Sequence, residues 1–217
     1  ADPTVILPAA PPETLDAIME NMELDPKGAY IGFGLRLWPG FESRASVFAA
    51  AADYAYERHG LIPVFLPIES GSDVEAANLV ARQMKSPCHV LQDLGPSSHT
   101  IGLFSRMQVM VSMRLHALEL AAGQGVPLVG VVYDPKVSSF LDYVGQDLYV
   151  PLEKVTSDAL ESLIDSAVAR RADKQFRMES VQRLRAVEAY TRAFAECTMN
   201  QVSFYPRATL FINQFII

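Results

Sequence analysis

Arg114 and His116 are the residues of this chain best suited by type and spacing to do chemistry. They close the run Val109-Met-Val-Ser-Met-Arg-Leu-His116, where apolar residues give way to a guanidinium and an imidazole. A helical stretch over 117–125 follows, closed by glycine. A second apolar run over 126–132 leads to Tyr133-Asp-Pro-Lys136. The pattern reads as strand, helix, strand, with Arg114 and His116 at the first strand exit and Lys136 at the second. Ligands of open α/β sheets bind outside the carboxyl ends of the strands. Cationic and titratable groups therefore gather where a small anion would sit. On a strand, positions i and i+2 point to one side. Arg114 and His116 would then converge beside a helix N-terminus, whose free N–H groups suit phosphate. The same spacing also fits a buried Arg–His pair that ties the strand end to a neighbouring loop.

Two further positions belong to this edge. Lys136 supplies a second cation, although Asp-Pro is an ordinary turn starter and the lysine can equally be a solvated turn residue. Arg36, in Leu35-Arg-Leu-Trp-Pro39, leaves another expected strand and can reach the same crevice. Trp38 beside it can wall a sugar, though core packing is the commoner fate of such a residue. His59, His89 and His99 are scattered and read as solvated or hydrogen-bonded histidines. Metal-ligand clusters, a Walker loop, a Gly-x-Ser-x-Gly elbow and a Gly-x-Gly-x-x-Gly after a strand are all missing. Gly32 and Gly34 lie inside a strand and signal little. No metal or cofactor is expected.

The elements that must position these residues follow from periodicity. A weak helix or loop covers 13–22, a buried strand 29–35, and an alanine-rich helix 43–59 stopped by Gly60. A strand covers 61–67, a helix 73–84 capped by Ser72 or Asp73, a short strand 89–92 and a short helix 97–105. Beyond Lys136, a short helix covers 138–144, a strand 148–151, a helix 157–169 capped by Ser157, and a long charged helix 173–197. Strands alternating with helices imply a mostly parallel sheet covered on both faces. The class is α/β, a Rossmann-like three-layer domain over 1–197. Residues 198–217 form a tail whose end, 209–217, is apolar, β-prone and uncharged, and which reads as a final packed element, a contact with a missing domain, or a non-native extension.

Composition narrows the function classes. Half of the 217 residues are hydrophobic, and the net charge is −7. That charge argues against a general nucleic-acid binder, which needs a basic face. Cys88 and Cys197 fit no metal spacing and read as reduced, buried thiols, which makes the cytoplasm the default compartment. No stretch reaches the ~18 apolar residues of a membrane helix, and residues 1–7 lack the basic start of a signal peptide. The opening directly on a short strand-like run reads as a fragment cut at a domain boundary.

Taken together, Ser112-Met-Arg-Leu-His-Ala117, Gly125-Val-Pro-Leu-Val-Gly130 and Tyr133-Asp-Pro-Lys-Val-Ser-Ser-Phe-Leu141 resemble the polysaccharide pyruvyltransferase family. The opening Ala1-Asp-Pro, the Arg36-Leu-Trp-Pro turn and Val64-Phe-Leu-Pro67 fit the family's carboxy-terminal half. The likeness covers roughly residues 1–195 and is strongest at Met113–His116 with Tyr133–Lys136. It implies the second half of a GT-B architecture, in which two Rossmann-like domains face each other across a cleft, so that an N-terminal domain would be missing. It implies transfer of a pyruvyl group from phosphoenolpyruvate to a polysaccharide or lipid-linked sugar, giving a ketal and phosphate. The setting would be cytoplasmic, with a peripheral place at the inner face of the membrane as an option. His116 would act as general acid or base. Arg114 and Lys136 would bind the donor's anionic groups and stabilise departing phosphate, with Arg36 as a further partner. Alone, the domain would have weak or no turnover.

Two other readings stay open. A GT-B glycosyltransferase or sugar-nucleotide epimerase would bind a UDP-sugar here, with Glu119 on the ribose hydroxyls. A non-enzymatic interaction module would dock a partner through the 173–197 helix, whose apolar face carries Phe176, Leu184, Val187, Tyr190 and Phe194.

Overall fold

The computed structural model describes residues 7–202, the side chains of residue 187 and of residues 190–202 excepted. The strand-like run expected at the start, all but Leu7, lies outside the described residues, as does the tail from 203 onward and the side chain of Cys197.

Five apolar runs and one edge segment form a six-stranded sheet: β1 (Tyr30–Gly34), β2 (Ile62–Phe65), β3 (His89–Val90), β4 (Met107–Ser112), β5 (Leu128–Val132) and β6 (Tyr149–Pro151). The order is β3-β2-β1-β4-β5-β6 and every neighbouring pair is parallel. Strands covered on both faces need apolar side chains on both, and β1 is buried at all of its positions. This is the expected α/β, Rossmann-like three-layer class.

The helices are α1 (Pro12–Asn21), α2 (Ala45–His59), α3 (Ser72–Ala81), α4 (Ser97–Ser105), α5 (Leu115–Gly123), α6 (Pro135–Val144), α7 (Ser157–Ala172) and α8 (Lys174–Val202). Residues of α2, α3 and α7 pack on one face of the sheet, with Ile31, Phe33 and Val111. Residues of α1, α4, α5, α6 and α8 pack on the other, with Tyr30, Met107 and Met110. On α8, Leu184 is buried in that second core. Of the stripe read there, Leu184 packs in this core and Phe176 is half-buried under the Arg170 guanidinium, while residues 187, 190 and 194 lie outside the described side chains. Among the described residues no helix is long and apolar enough to cross a membrane.

Several expected boundaries move, each for a local reason. The strand before His116 ends at Ser112 and the helix begins at Leu115, so His116 lies in the first turn of α5. The period-2 argument that placed it beside Arg114 does not apply there, because residue 114 is the N-cap and residue 116 is helical. The helix expected at 138 begins at Pro135, since Asp134 caps it by accepting from the Lys136 N–H at 3.0 Å. Lys136 is thus a first-turn helix residue. Thr156, not Ser157, caps α7 through the Ala159 N–H. Neither Ser72 nor Asp73 caps α3: the N-cap is Gly71, without a side-chain bond. The long helix runs to Val202, past the expected end at 197. Cys88 is half-buried, and burial pushes its thiol pKa up.

Gly34 decides how closely α5 can approach the sheet. A Cβ at this position would lie 2.5 Å from Ser112 Oγ and 3.0 Å from Ala117 Cβ. The bare backbone lets the first turn of α5 sit directly on the end of β1. Gly34→Val forces both neighbours outward, and overpacking of this kind costs about 1–3 kcal/mol. Urea denaturation reads this as a lower midpoint at unchanged slope. A midpoint equal to wild type would show that the contact has slack.

Candidate active site

The strand order makes the crevice. From β1 the chain moves outward to β3, then returns to the other side of β1 as β4. The helix that follows β1 packs on one face and the helix that follows β4 on the other. The two strand exits diverge, and ligands of open α/β sheets bind at such a switch point. Arg36 follows β1, Arg114 follows β4, and Tyr133 follows β5 directly. Sequence-predicted residues thus emerge on one edge, but the structure divides them into three groups.

The first group surrounds Arg114. Its side chain is about one-tenth exposed and its guanidinium engages two carboxylates. Nε lies 2.9 Å from both oxygens of Asp73, and Nη2 bonds Asp73 Oδ1 as well. Nη2 also donates to Glu69 Oε2 at 2.5 Å. Asp73, itself buried, accepts further from the backbone N–H groups of Ile68 and Glu69 at 3.0 Å each. Its carboxylate is therefore bracketed by a bidentate arginine and two amides, a strong charge-assisted arrangement. Burial opposes the charged form of Arg114, and the bonds from Asp73 and Glu69 outweigh it, raising the pKa. On Glu69, the hydrogen bond and then the charge of Arg114 hold the exposed carboxyl below the usual range, with a smaller push from Arg36. Ser112, fully buried, fixes the backbone beneath. Its Oγ accepts from the Arg114 N–H at 2.8 Å and lies 2.9 and 3.0 Å from the carbonyls of Gly34 and Arg114. Its single hydroxyl proton serves one of those carbonyls.

The second group surrounds Tyr133. Arg36 Nη1 donates to the Tyr133 hydroxyl at 3.2 Å, and its guanidinium carbon lies 5.7 Å from that ring and 5.4 Å from Trp38. Lys136 Nζ lies 6.0 Å from the same tyrosine ring. Its ion pair to Asp134 is long at 4.0 Å. Two cations thus flank one electron-rich ring, and neither is locked into a buried carboxylate.

His116 forms the third. Its imidazole is exposed and lines a cavity of about 320 Å³ with Ile68, Gln92, Asp93, Ser97 and Thr100. Ser97 opens α4 and His116 lies in the first turn of α5, so two helix starts, each carrying a positive partial charge, border it. None of Arg36, Arg114 and Lys136 lines this cavity. Among the described residues no group of three His, Cys, Asp or Glu side chains could hold a metal. His59, the last residue of α2, pairs with Asp165 of α7 at 2.7 Å.

Sequence reasoning missed Glu69, Ser112 and the inward role of Asp73. Asp73 was legible only as a helix-start residue. A weak signal existed: Glu69 and Asp73 are spaced like one helical turn, just beyond a strand of the same sheet edge.

No sequence among the curated proteins matches this chain at a significant level. A family model described as polysaccharide pyruvyl transferase matches residues 1–135, more than half of the chain. Among solved structures, a trehalose-6-phosphate synthase aligns with a TM-score of 0.56 at 13% identity, over 92% of this chain and 48% of that one. A UDP-GlcNAc 2-epimerase from Methanocaldococcus jannaschii, in complex with UDP-GlcNAc and UDP, aligns with a TM-score of 0.56 at 10% identity, over 81% and 48%. A glycosyl transferase of family 9 from Veillonella parvula aligns with a TM-score of 0.50 at 19% identity, over 76% and 53%. At these identities the likeness is one of fold, that of the GT-B glycosyltransferases. The chain spans about half the length of these structures.

The Arg114 network generates a stability prediction. Asp73→Ala leaves a buried guanidinium with only the exposed Glu69 as its ion partner, and breaking a buried pair costs about 3–5 kcal/mol. Urea unfolding should show that loss, and a midpoint unchanged from wild type would contradict it. Glu69→Gln costs far less, because Glu69 faces water. Its carboxyl pKa is lowered on folding, so its contribution is complete at neutral pH and disappears as pH falls through the acid range. Stability measured against pH should show a shallower acid limb in Glu69→Gln.

Proposed function

This chain belongs to the polysaccharide pyruvyl transferase family, and we propose that it uses phosphoenolpyruvate to build a pyruvate ketal on a sugar hydroxyl pair. The observation that carries this reading is the pair of accessible cations on one tyrosine, Arg36 and Lys136, on the same sheet edge from which α5 carries His116. Phosphoenolpyruvate carries a phosphate and a carboxylate. Arg36 offers a planar fork for one and Lys136 a point charge for the other.

The chemistry balances around a single proton carrier. The donor methylene gains a proton and its neighbouring carbon becomes electrophilic. One sugar hydroxyl adds to that carbon and loses its proton. The carbon–oxygen bond to phosphate breaks, with the electron pair leaving on phosphate. The second hydroxyl then adds and loses its proton. Of the two hydroxyl protons, one ends on the new methyl group and the other on phosphate. His116 is the group proposed to take and return them, since an imidazole can do both near neutral pH.

Arg114 takes a different part from the donor binding expected of it. With its Nε and Nη2 held by Asp73 and Glu69, the geometry supports a positioning role: it fixes the N-cap of α5 and hence the place of His116 two residues on. The sugar-nucleotide reading shares the fold, but the carboxylate it would place on ribose, Glu119, is only 8% exposed.

Isothermal titration separates the two readings. Phosphoenolpyruvate should bind and UDP-sugars should not. Arg36→Ala and Lys136→Ala should each weaken donor binding by at least about tenfold, the worth of one charged hydrogen bond. His116→Ala should bind the donor normally and lose roughly 10²–10⁴-fold in acceptor-dependent phosphate release. UDP-sugar binding in place of phosphoenolpyruvate would overturn the proposal, as would wild-type turnover by His116→Ala.

A further inference from the structure

Trp38 has an environment that neither donor binding nor the core explains. It is 38% exposed. A single exposed apolar side chain is ordinary on a protein surface, but Trp38 is neither isolated nor loose. Its carbonyl accepts from the Phe41 N–H at 2.8 Å, closing the turn Trp38-Pro-Gly-Phe41. Pro39 fixes one backbone angle, and Gly40 takes φ +85° with open space around it, as a turn of proline then glycine requires. Phe41, fully buried against Phe48, anchors the far end. Arg44 donates to the carbonyls of Glu153 and Val155, lashing this segment to the chain beyond β6. The indole is thus held out into solvent by a rigid turn.

It also forms one wall of a corner. The Trp38 and Tyr133 ring centroids are 4.6 Å apart and the planes are inclined at 52°. The depression they border holds about 190 Å³ and is rimmed by Ser43, Arg44 and Glu153. Sites that enclose drug-sized ligands run to ~300–1,000 Å³, so this one suits a single ring and is too small for a nucleotide sugar. A pyranose ring presents C–H groups on one face and hydroxyls at its rim. Rigid aromatic surfaces with polar edges match that pattern at low entropic cost.

We propose that Trp38 and Tyr133 form a platform for one neutral hexose or hexosamine ring of the acceptor, seated beside the cations that bind the donor. The shared residue is Tyr133: its ring borders the depression on one side and meets Arg36 and Lys136 through cation–π and hydrogen-bond contacts. A sugar in this corner lies next to an anion at Arg36 and Lys136. Its role as acceptor rests on the pyruvyl-transfer reading; its binding does not.

Trp38 is the only tryptophan of the chain, so intrinsic fluorescence reports from this corner. Titration of the chain with methyl glycosides of the common hexoses and N-acetylhexosamines should give a saturable change in emission for at least one of them. Tyr133→Ala should weaken that glycoside about tenfold through loss of one aromatic wall. Saturation-transfer NMR should show the same glycoside failing to bind Trp38→Ala and recovering in Trp38→Phe. The inference is overturned if no glycoside binds, if Trp38→Ala binds it as well as wild type, or if emission answers to phosphoenolpyruvate alone. Failure of the pyruvyl-transfer reading looks different: glycoside binding persists while phosphoenolpyruvate neither binds nor releases phosphate.

Discussion

A buried guanidinium must be paired, and this edge of the fold is organised around that need. Arg114 leaves β4 at the point where the chain turns into α5, too deep for water to satisfy it. Asp73 meets it from the first turn of α3, and Glu69 from the loop before. Removing either ion from water costs several kcal/mol before their attraction repays it, and the amides of Ile68 and Glu69 complete the repayment. One ion pair thus links the exits of β2 and β4, two strands that flank β1. The place of the α5 N-terminus follows from this link, and the place of His116 follows from α5.

The cations around Tyr133 obey the opposite rule. Arg36 and Lys136 meet an aromatic face rather than a buried carboxylate, and such contacts are worth about 0.5–2 kcal/mol depending on solvation. That is enough to bias where the charges sit. Three cations of one edge therefore divide by how they are held: Arg114 is deeply paired with carboxylates, and Arg36 and Lys136 rest lightly on an aromatic ring. Spacing in sequence could not make this division, because it depends on Glu69 and Asp73, which arrive from a different β–α loop.

The parallel sheet, its covering helices and the chain's exit points were all legible, because apolar runs alternating with amphipathic stretches leave few other arrangements. The assignment of Arg114 and His116 to one strand face was not. Asp134 illustrates the cause: a capping side chain starts α6 three residues before the expected helix, and caps are local bonds that periodicity does not register. The same blindness hid Ser112, whose hydroxyl ties the end of β4 to β1. Trp38 is a different case. Its residue type favours the core, and only the rigid turn behind it shows that exposure is built in.

The Arg114–Asp73 pair also constrains how this sequence can change over generations. Loss of the aspartate leaves the buried cation only the exposed Glu69 as a partner, and loss of the arginine leaves a buried anion held by two amides alone. Each single step passes through a protein poorer by a large share of the 5–15 kcal/mol that keeps a domain folded. Apolar replacements at both positions together can be nearly neutral, but that route demands two simultaneous substitutions. The pair is held in place by the depth of the valley between two workable sequences, independently of anything the site does.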